Sequence, residues 1–247
     1  MTASELSNAE APIGPHEGEP HQGGLNNRLN WLRASVLGAN DGIVSTAGIV
    51  IGAVGATSDR TAILIAGVAG LAAGAMSMGA GEYVSVSTQR DSELALLAKE
   101  RRELRDEPEE ELAELAGIYV EKGLDEALAL EVATALTKKD ALGAHAEAEL
   151  GIDPDDITSP WNAAFASSVS FTLGALLPLL TITLVAPSAR VFVTVIAVVL
   201  ALALTGWASA QLSFGSARRA VARNIAGGLF AMAVTFAIGS ALGTQIG

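Results

Sequence analysis

Apolar and polar residues are not interleaved along this chain; they are gathered into blocks. Five blocks hold almost uninterrupted apolar or small residues over the roughly 20 positions that a membrane-crossing helix needs. They are residues 34–56, 62–84, 161–185, 191–212 and 224–246. Thr57-Ser58-Asp59-Arg60-Thr61 separates the first two, and Ala186-Pro187-Ser188-Ala189-Arg190 the third and fourth. Connections this short predict antiparallel helical hairpins. The pattern therefore predicts an all-α polytopic membrane protein with five transmembrane helices.

Between the second and third blocks the pattern changes. A helix is expected to run on from the second span through Arg105, and Pro108 fits the first turn of a new one, capped by Asp106 or Glu107. Leu112, Leu115 and Tyr119 give that helix one apolar face, and Gly123 ends it. Asp125 is expected to cap the next helix, with Leu128, Val132 and Leu136 as its buried face. A last short helix is expected over 140–150, before the stop at Gly151-Ile152-Asp153-Pro154. The chain thus divides into a tail (1–29), spans one and two (30–89), a helical insert (90–157) and spans three to five (158–247). A module as small as the insert has a thin core. The tail is rich in Gly, Pro, Glu and Asn and reads as disordered, with His16 and His21 as weak chelators at most. It shows no apolar h-region, so no cleavable signal peptide is expected.

Charge sharpens this division. Residues 90–156 hold 20 acids and 8 bases, so the whole net charge of -12 lies in the insert. An acidic surface argues against nucleic acid as a partner and suits cations. The absence of cysteine excludes disulfides and thiolate metal ligands. Lys and Arg in the short loops set orientation. Arg28 and Arg33 precede the first span, and Arg218, Arg219 and Arg223 lie between the fourth and fifth, against only Arg60 and Arg190 on the other side. The N-terminus and insert are expected in the cytoplasm and the C-terminus outside. Glycine pairs at four-residue spacing (Gly38/Gly42, Gly48/Gly52, Gly70/Gly74, Gly239/Gly243) predict close helix packing, within one chain or across a dimer seam. Pro178 is expected to kink the third span.

Two constellations could carry chemistry. In the first span Asp41 is a carboxylate inside the membrane, which costs roughly 2.5–3.5 kcal/mol on insertion scales and so marks a functional position. Ser45 follows one turn on, and the second span offers Met76, Met78 and Glu82. A carboxylate with a thioether is a mixed hard and soft ligand set, which favours a transition metal over Mg²⁺ or Ca²⁺. In the insert, Glu93, Glu100, Glu103 and Glu107 share one helical face, Glu111 and Glu114 repeat an i, i+3 spacing, and His145 and Glu149 stand at i, i+4 with Glu147 beside them. Like charges so spaced repel, unless divalent cations sit between facing helices. No phosphate loop, zinc-protease motif or Ser/His/Asp set is present, so an enzyme is not expected.

Asn40-Asp41-Gly42, the run from Ala75-Met76-Ser77-Met78-Gly79-Ala80-Gly81-Glu82 to Ser85, and the acidic insert before the third span resemble the vacuolar iron transporter family, over about residues 30–247. The resemblance implies a five-helix homodimer that moves Fe²⁺, often also Mn²⁺, out of the cytosol in exchange for protons, along a path at the dimer interface. It implies path roles for Asp41 and Met78, and metal capture by Glu100, Glu103, Glu111 and Glu114. Glu149 matches the family's last glutamate, but His145 and Ala146 stand where two methionines would be, so His145 would serve as a nitrogen ligand. Where plant members carry an acid two turns before the motif methionine, this chain has Gly70.

The expected function is proton-coupled export of Fe²⁺, with metal ions, protons and the lipid bilayer as partners and no resident cofactor. Two other readings remain: a membrane-anchored iron-binding or ferroxidase-like protein, and a passive metal channel. The Ala-rich composition points to a cell membrane rather than a vacuole.

Overall fold

A computed structural model describes residues 25–212 and 215–246. The expectation for the tail over 1–24 lies outside the described residues. Every regular element among those described is helical: α1 (Leu25–Ala56), α2 (Arg60–Asp106), α3 (Pro108–Glu121), α4 (Glu126–His145), a π-turn (Ala146–Leu150), α5 (Pro160–Leu184), α6 (Arg190–Leu212) and α7 (Ala217–Ile246). Helix α1 begins at Leu25, within the stretch expected as tail. Helices α1, α2, α5, α6 and α7 are each long and apolar enough to cross a membrane.

Helix α1 is the centre of the bundle, packing against α5, α7, α2 and α6. Ile43, Ala47, Val50 and Ile51 of α1 meet Ile63, Leu179, Ile182, Val198, Leu202 and Met232 in one core drawn from all five spans. The outward faces carry exposed Phe165, Leu173, Phe192, Leu200 and Phe230. Such a surface suits hydrocarbon, where apolar side chains need no burial in protein. The glycine pairs are used inside the chain. A Cβ at Gly42 would collide with the Phe171 carbonyl of α5, and one at Gly239 with the Gly52 carbonyl, so α1 lies backbone to backbone with both α5 and α7. Pro178 is buried within an uninterrupted α5.

Helix α2 is 47 residues long. At 1.5 Å per residue it spans about 70 Å, more than twice a bilayer core of about 30 Å. Asp59 caps its start, accepting from the Thr61 N–H at 2.9 Å. Tyr83 of α2 stacks obliquely on Trp161 at the start of α5, with ring centres 4.7 Å apart. Because Trp161 is in the first turn of α5, α2 runs on past the end of α5 for the 23 residues from Val84 to Asp106.

That extension carries the insert. Glu107 is the residue before α3 and Pro108 its first residue, but the Glu107 side chain makes no capping bond. Asp125 caps α4 through the Leu128 N–H at 3.0 Å. The buried face of α4 is not Leu128, Val132 and Leu136, as the pattern predicted. Ala129 and Ala133 are fully buried, whereas Leu128 is 47% exposed. Small residues let α4 approach Leu115 and Ala116 of α3, and the thin second core forms there. Residues 140–150 form a helical segment of their own, as expected: the backbone leaves helical geometry at Asp140, which kinks α4 there, and Asp140 Oδ1 accepts the Gly143 N–H at 3.0 Å and so caps the segment that follows. The chain then widens into the π-turn and stops at Gly151, whose φ of 64° suits a residue without a side chain.

Candidate metal sites and transport groove

The insert brings three ligands to one point. Glu100 comes from α2, Glu111 from the first turn of α3 and His145 from the end of α4, and all three are buried. His145 Nδ1 lies 3.0 Å from Glu100 Oε1 and 3.4 Å from Glu111 Oε2. Despite those distances, Nδ1 and Glu100 Oε1 have no hydrogen bond of acceptable angle, and Nε2 has no partner. Around a metal with bonds of about 2.1 Å, neighbouring ligand atoms stand about 3.0 Å apart in an octahedron and about 3.4 Å apart in a tetrahedron. The observed spacings are those of a close His–carboxylate contact and are also short enough for the three groups to face one ion.

Electrostatics point the same way. Burial, followed by the negative charges of Glu149, Glu111 and Glu103, pushes the Glu100 carboxyl up to about 7. Burial also raises Glu111, with Glu114, Glu103 and Glu149 adding to the effect. Burial lowers His145, against the pull of Glu149 and Glu114, so its imidazole is held neutral. A neutral imidazole with an available lone pair, among carboxylates that resist ionising together, is relieved by protons or by a cation. Widened turns of the π type recur at functional sites, and this one begins directly after His145 and contains Glu149.

The predicted insert ligands therefore separate into three sets. Glu100, Glu111 and His145 form the centre, and Glu103, Glu114 and Glu149 are close enough to act on it by charge. Glu103 is half-buried and paired with Lys99 at 2.6 Å. Glu107 and Glu147 are exposed outside the cluster, as part of a solvated face.

The second arrangement is a groove of about 550 Å³ between α1, α2 and α5. It is lined by Asp41, Ser45, Met78 and Glu82, four of the five path residues predicted, together with Ser77 and Phe171. Ser45 Oγ donates to Asp41 Oδ1 at 2.9 Å, one turn away on α1. Met76 does not line it and is 75% exposed on the outer face of α2. Residues two apart on a helix point about 200° apart, so Met76 and Met78 cannot share a groove. Gly70, Gly74 and Gly81 leave the α2 side of the groove open.

Sequence reasoning missed a third polar group. Asn40 Oδ1 accepts from Asn224 Nδ2 of α7 at 3.0 Å and from Thr205 Oγ1 of α6 at 3.3 Å. A lone Asn or Thr within an apolar block was the signal available, but the partners stand 165 and 184 residues from Asn40.

Five helices long and apolar enough to cross a membrane, a carboxylate and a thioether lining one groove, and a buried cluster of two glutamates and a histidine fit a polytopic metal-ion transporter. Residues 32–240 match the family model described as the VIT family. The chain is 48% identical to "Vacuolar iron transporter" of Acanthamoeba castellanii over 164 residues, which is 66% of this chain and 59% of that protein. It is 35% identical to "Vacuolar iron transporter homolog 1" of Arabidopsis thaliana over 88% of this chain and 86% of the other. Its identity to the protein of the same name from Oryza sativa subsp. japonica is 38%, over 87% and 76%. The chain belongs to the VIT family, and with it to the metal-ion transporters rather than the enzymes.

Proposed function

We propose that this protein exports Fe²⁺, and Mn²⁺ with it, from the cytosol in exchange for protons. The observation that carries the reading is the continuity of α2. One half bears Glu100, which joins Glu111 and His145 in the buried cluster, and the other bears Met78 and Glu82 in the groove with Asp41. Capture and passage are thus built on one rigid element. The excess of arginines near the starts of α1 and α7 supports a cytoplasmic insert, so metal would be collected there and released on the far side.

Capture would rest on the glutamates Glu100 and Glu111 with His145, in a field supplied by Glu103, Glu114 and Glu149. Binding displaces protons from the raised carboxyls, so affinity falls as pH drops below about 7 for Glu100. In the groove Asp41 would alternate between metal and proton, Met78 would favour transition metals, and Ser45 would hold Asp41 in place. The groove is open on one side, which fits a path completed by the same residues of a second copy in a homodimer. The membrane would be the cell membrane, with the C-terminus outside.

The test is metal uptake into proteoliposomes with and without an acid interior, with internal pH recorded. The reading predicts faster uptake into acid vesicles, accompanied by a rise in internal pH. Uptake that ignores the gradient and leaves internal pH unchanged would mean a passive channel.

A further inference from the structure

The Asn40 cluster lies beside Asp41 but faces the other way. Adjacent residues on a helix point about 100° apart, so as Asp41 enters the α1–α2 groove, Asn40 turns towards α6 and α7. There Asn224 Nδ2 donates to Asn40 Oδ1 at 3.0 Å and approaches Thr205 Oγ1 at 3.5 Å. Thr205 Oγ1 stands 3.3 Å from both Asn40 Oδ1 and the Leu202 carbonyl. Three helices thus meet through one side-chain oxygen at the depth of the carboxylate.

Elsewhere α1 is held by apolar packing, with Ile43, Val50 and Ile51 buried in the core, and by close backbone approach. Its contact with α5 is glycine against backbone at Gly42, and its contact with α7 is of the same kind at Gly52. Such faces set how closely helices approach, but they are smooth and non-directional. Hydrogen bonds are directional. In an apolar medium an amide that loses its partner has no water to replace it.

We propose that Asn224 and Thr205 are positioning residues: through Asn40 they set the rotation of α1, and so the aim of Asp41 into the groove. This rests on the proposed role of Asp41 as the metal-binding carboxylate of the path. The cluster also ties the α6–α7 pair to α1, so a movement of that pair would turn the carboxylate.

The experiment uses the full chain in proteoliposomes, with initial Mn²⁺ uptake measured over a range of concentrations. Asn224→Leu and Thr205→Val are expected to raise KM roughly three- to ten-fold, the effect of losing about one intramembrane hydrogen bond, with Vmax within about two-fold. Thr205→Ser keeps the hydroxyl and should behave as the parent. As the chain has no cysteine, Ser45→Cys gives a single thiol on the groove face of α1. Its rate of labelling by a water-soluble maleimide should change when Asn224→Leu is added. Unchanged KM and labelling would overturn the inference, as would equal damage from Thr205→Ser and Thr205→Val. If Asn224→Leu does not fold, the Thr205 pair decides. Asp41→Asn serves as the control: full transport by it would remove the reading of Asp41, whereas its loss of transport beside normal Asn224 and Thr205 variants would remove only this inference.

Discussion

The insert cluster and the membrane groove both offer carboxylates to a cation, yet they are built on opposite plans. In the insert, Glu100, Glu111 and His145 are buried together with three further glutamates in range. Their mutual repulsion can be relieved by protons or by a cation. In the groove only two carboxylates, Asp41 and Glu82, stand among serines, glycines and a thioether, and Asp41 Oδ1 already accepts from Ser45. A dense site suits capture from a dilute pool. A sparse one suits passage, because an ion held by many ligands in a low-dielectric setting would not leave.

The contrast breaks most sharply at Asp41. Asp41→Ala should reduce transport in proteoliposomes to background while metal binding by the purified protein persists at the insert. Variants with Glu100→Gln and Glu111→Gln together should do the reverse. Metal affinity by calorimetry should fall on the order of 100-fold, since two anionic ligands are lost, while Vmax at saturating metal is largely kept.

Acid and base should also separate the two regions. The Glu100 carboxyl titrates higher in the folded protein, at about 7, than its ordinary value of 4.5. The folded state therefore binds the extra proton, and Glu100 makes stability fall as pH rises from about 4.5 to 7. The raised Glu111 acts in the same direction. The lowered His145 acts oppositely, costing stability as pH falls below its ordinary 6.5. Comparing Glu100→Gln with the parent by thermal melting isolates the first term. Without metal, the variant should gain stability on the parent between pH 4.5 and 7, by no more than about 3 kcal/mol. Added metal should close that gap at pH 7.5. A gap that does not change with pH would contradict the burial assigned to Glu100.

The smallest effect is expected at Met78. Met78→Leu keeps volume and removes sulfur, so the preference for Fe²⁺ over Mn²⁺ in competition uptake should fall only a few-fold.

How much of this was legible in the sequence follows from the range of the forces involved. The spans could be read because a bilayer demands about 20 apolar residues whatever their neighbours. Asp41 and Glu82 could be read because charge is costly there, and Ser45 and Met78 because they stand one helical turn from them; the structure gathers all four. Helical spacing placed Glu100 with Glu103 and Glu111 with Glu114, but could not say which member turns inward. That was decided by the packing of α3 and α4 on α2, which buries Glu100 and Glu111 and leaves Glu103 to Lys99. The face of α4 was misread because size was taken as a sign of burial, whereas close approach to α3 selects Ala129 and Ala133. The Asn40 cluster joins three helices far apart in the chain, which no local pattern reports.

The shared ligand point in the insert is the claim on which capture depends, and anomalous scattering from crystals soaked in Mn²⁺ or Co²⁺ tests it directly. The account predicts a peak about 2.1 Å from His145 Nδ1 and from oxygens of Glu100 and Glu111. A protein that transports these ions but shows no anomalous peak at that point under saturating metal would contradict it.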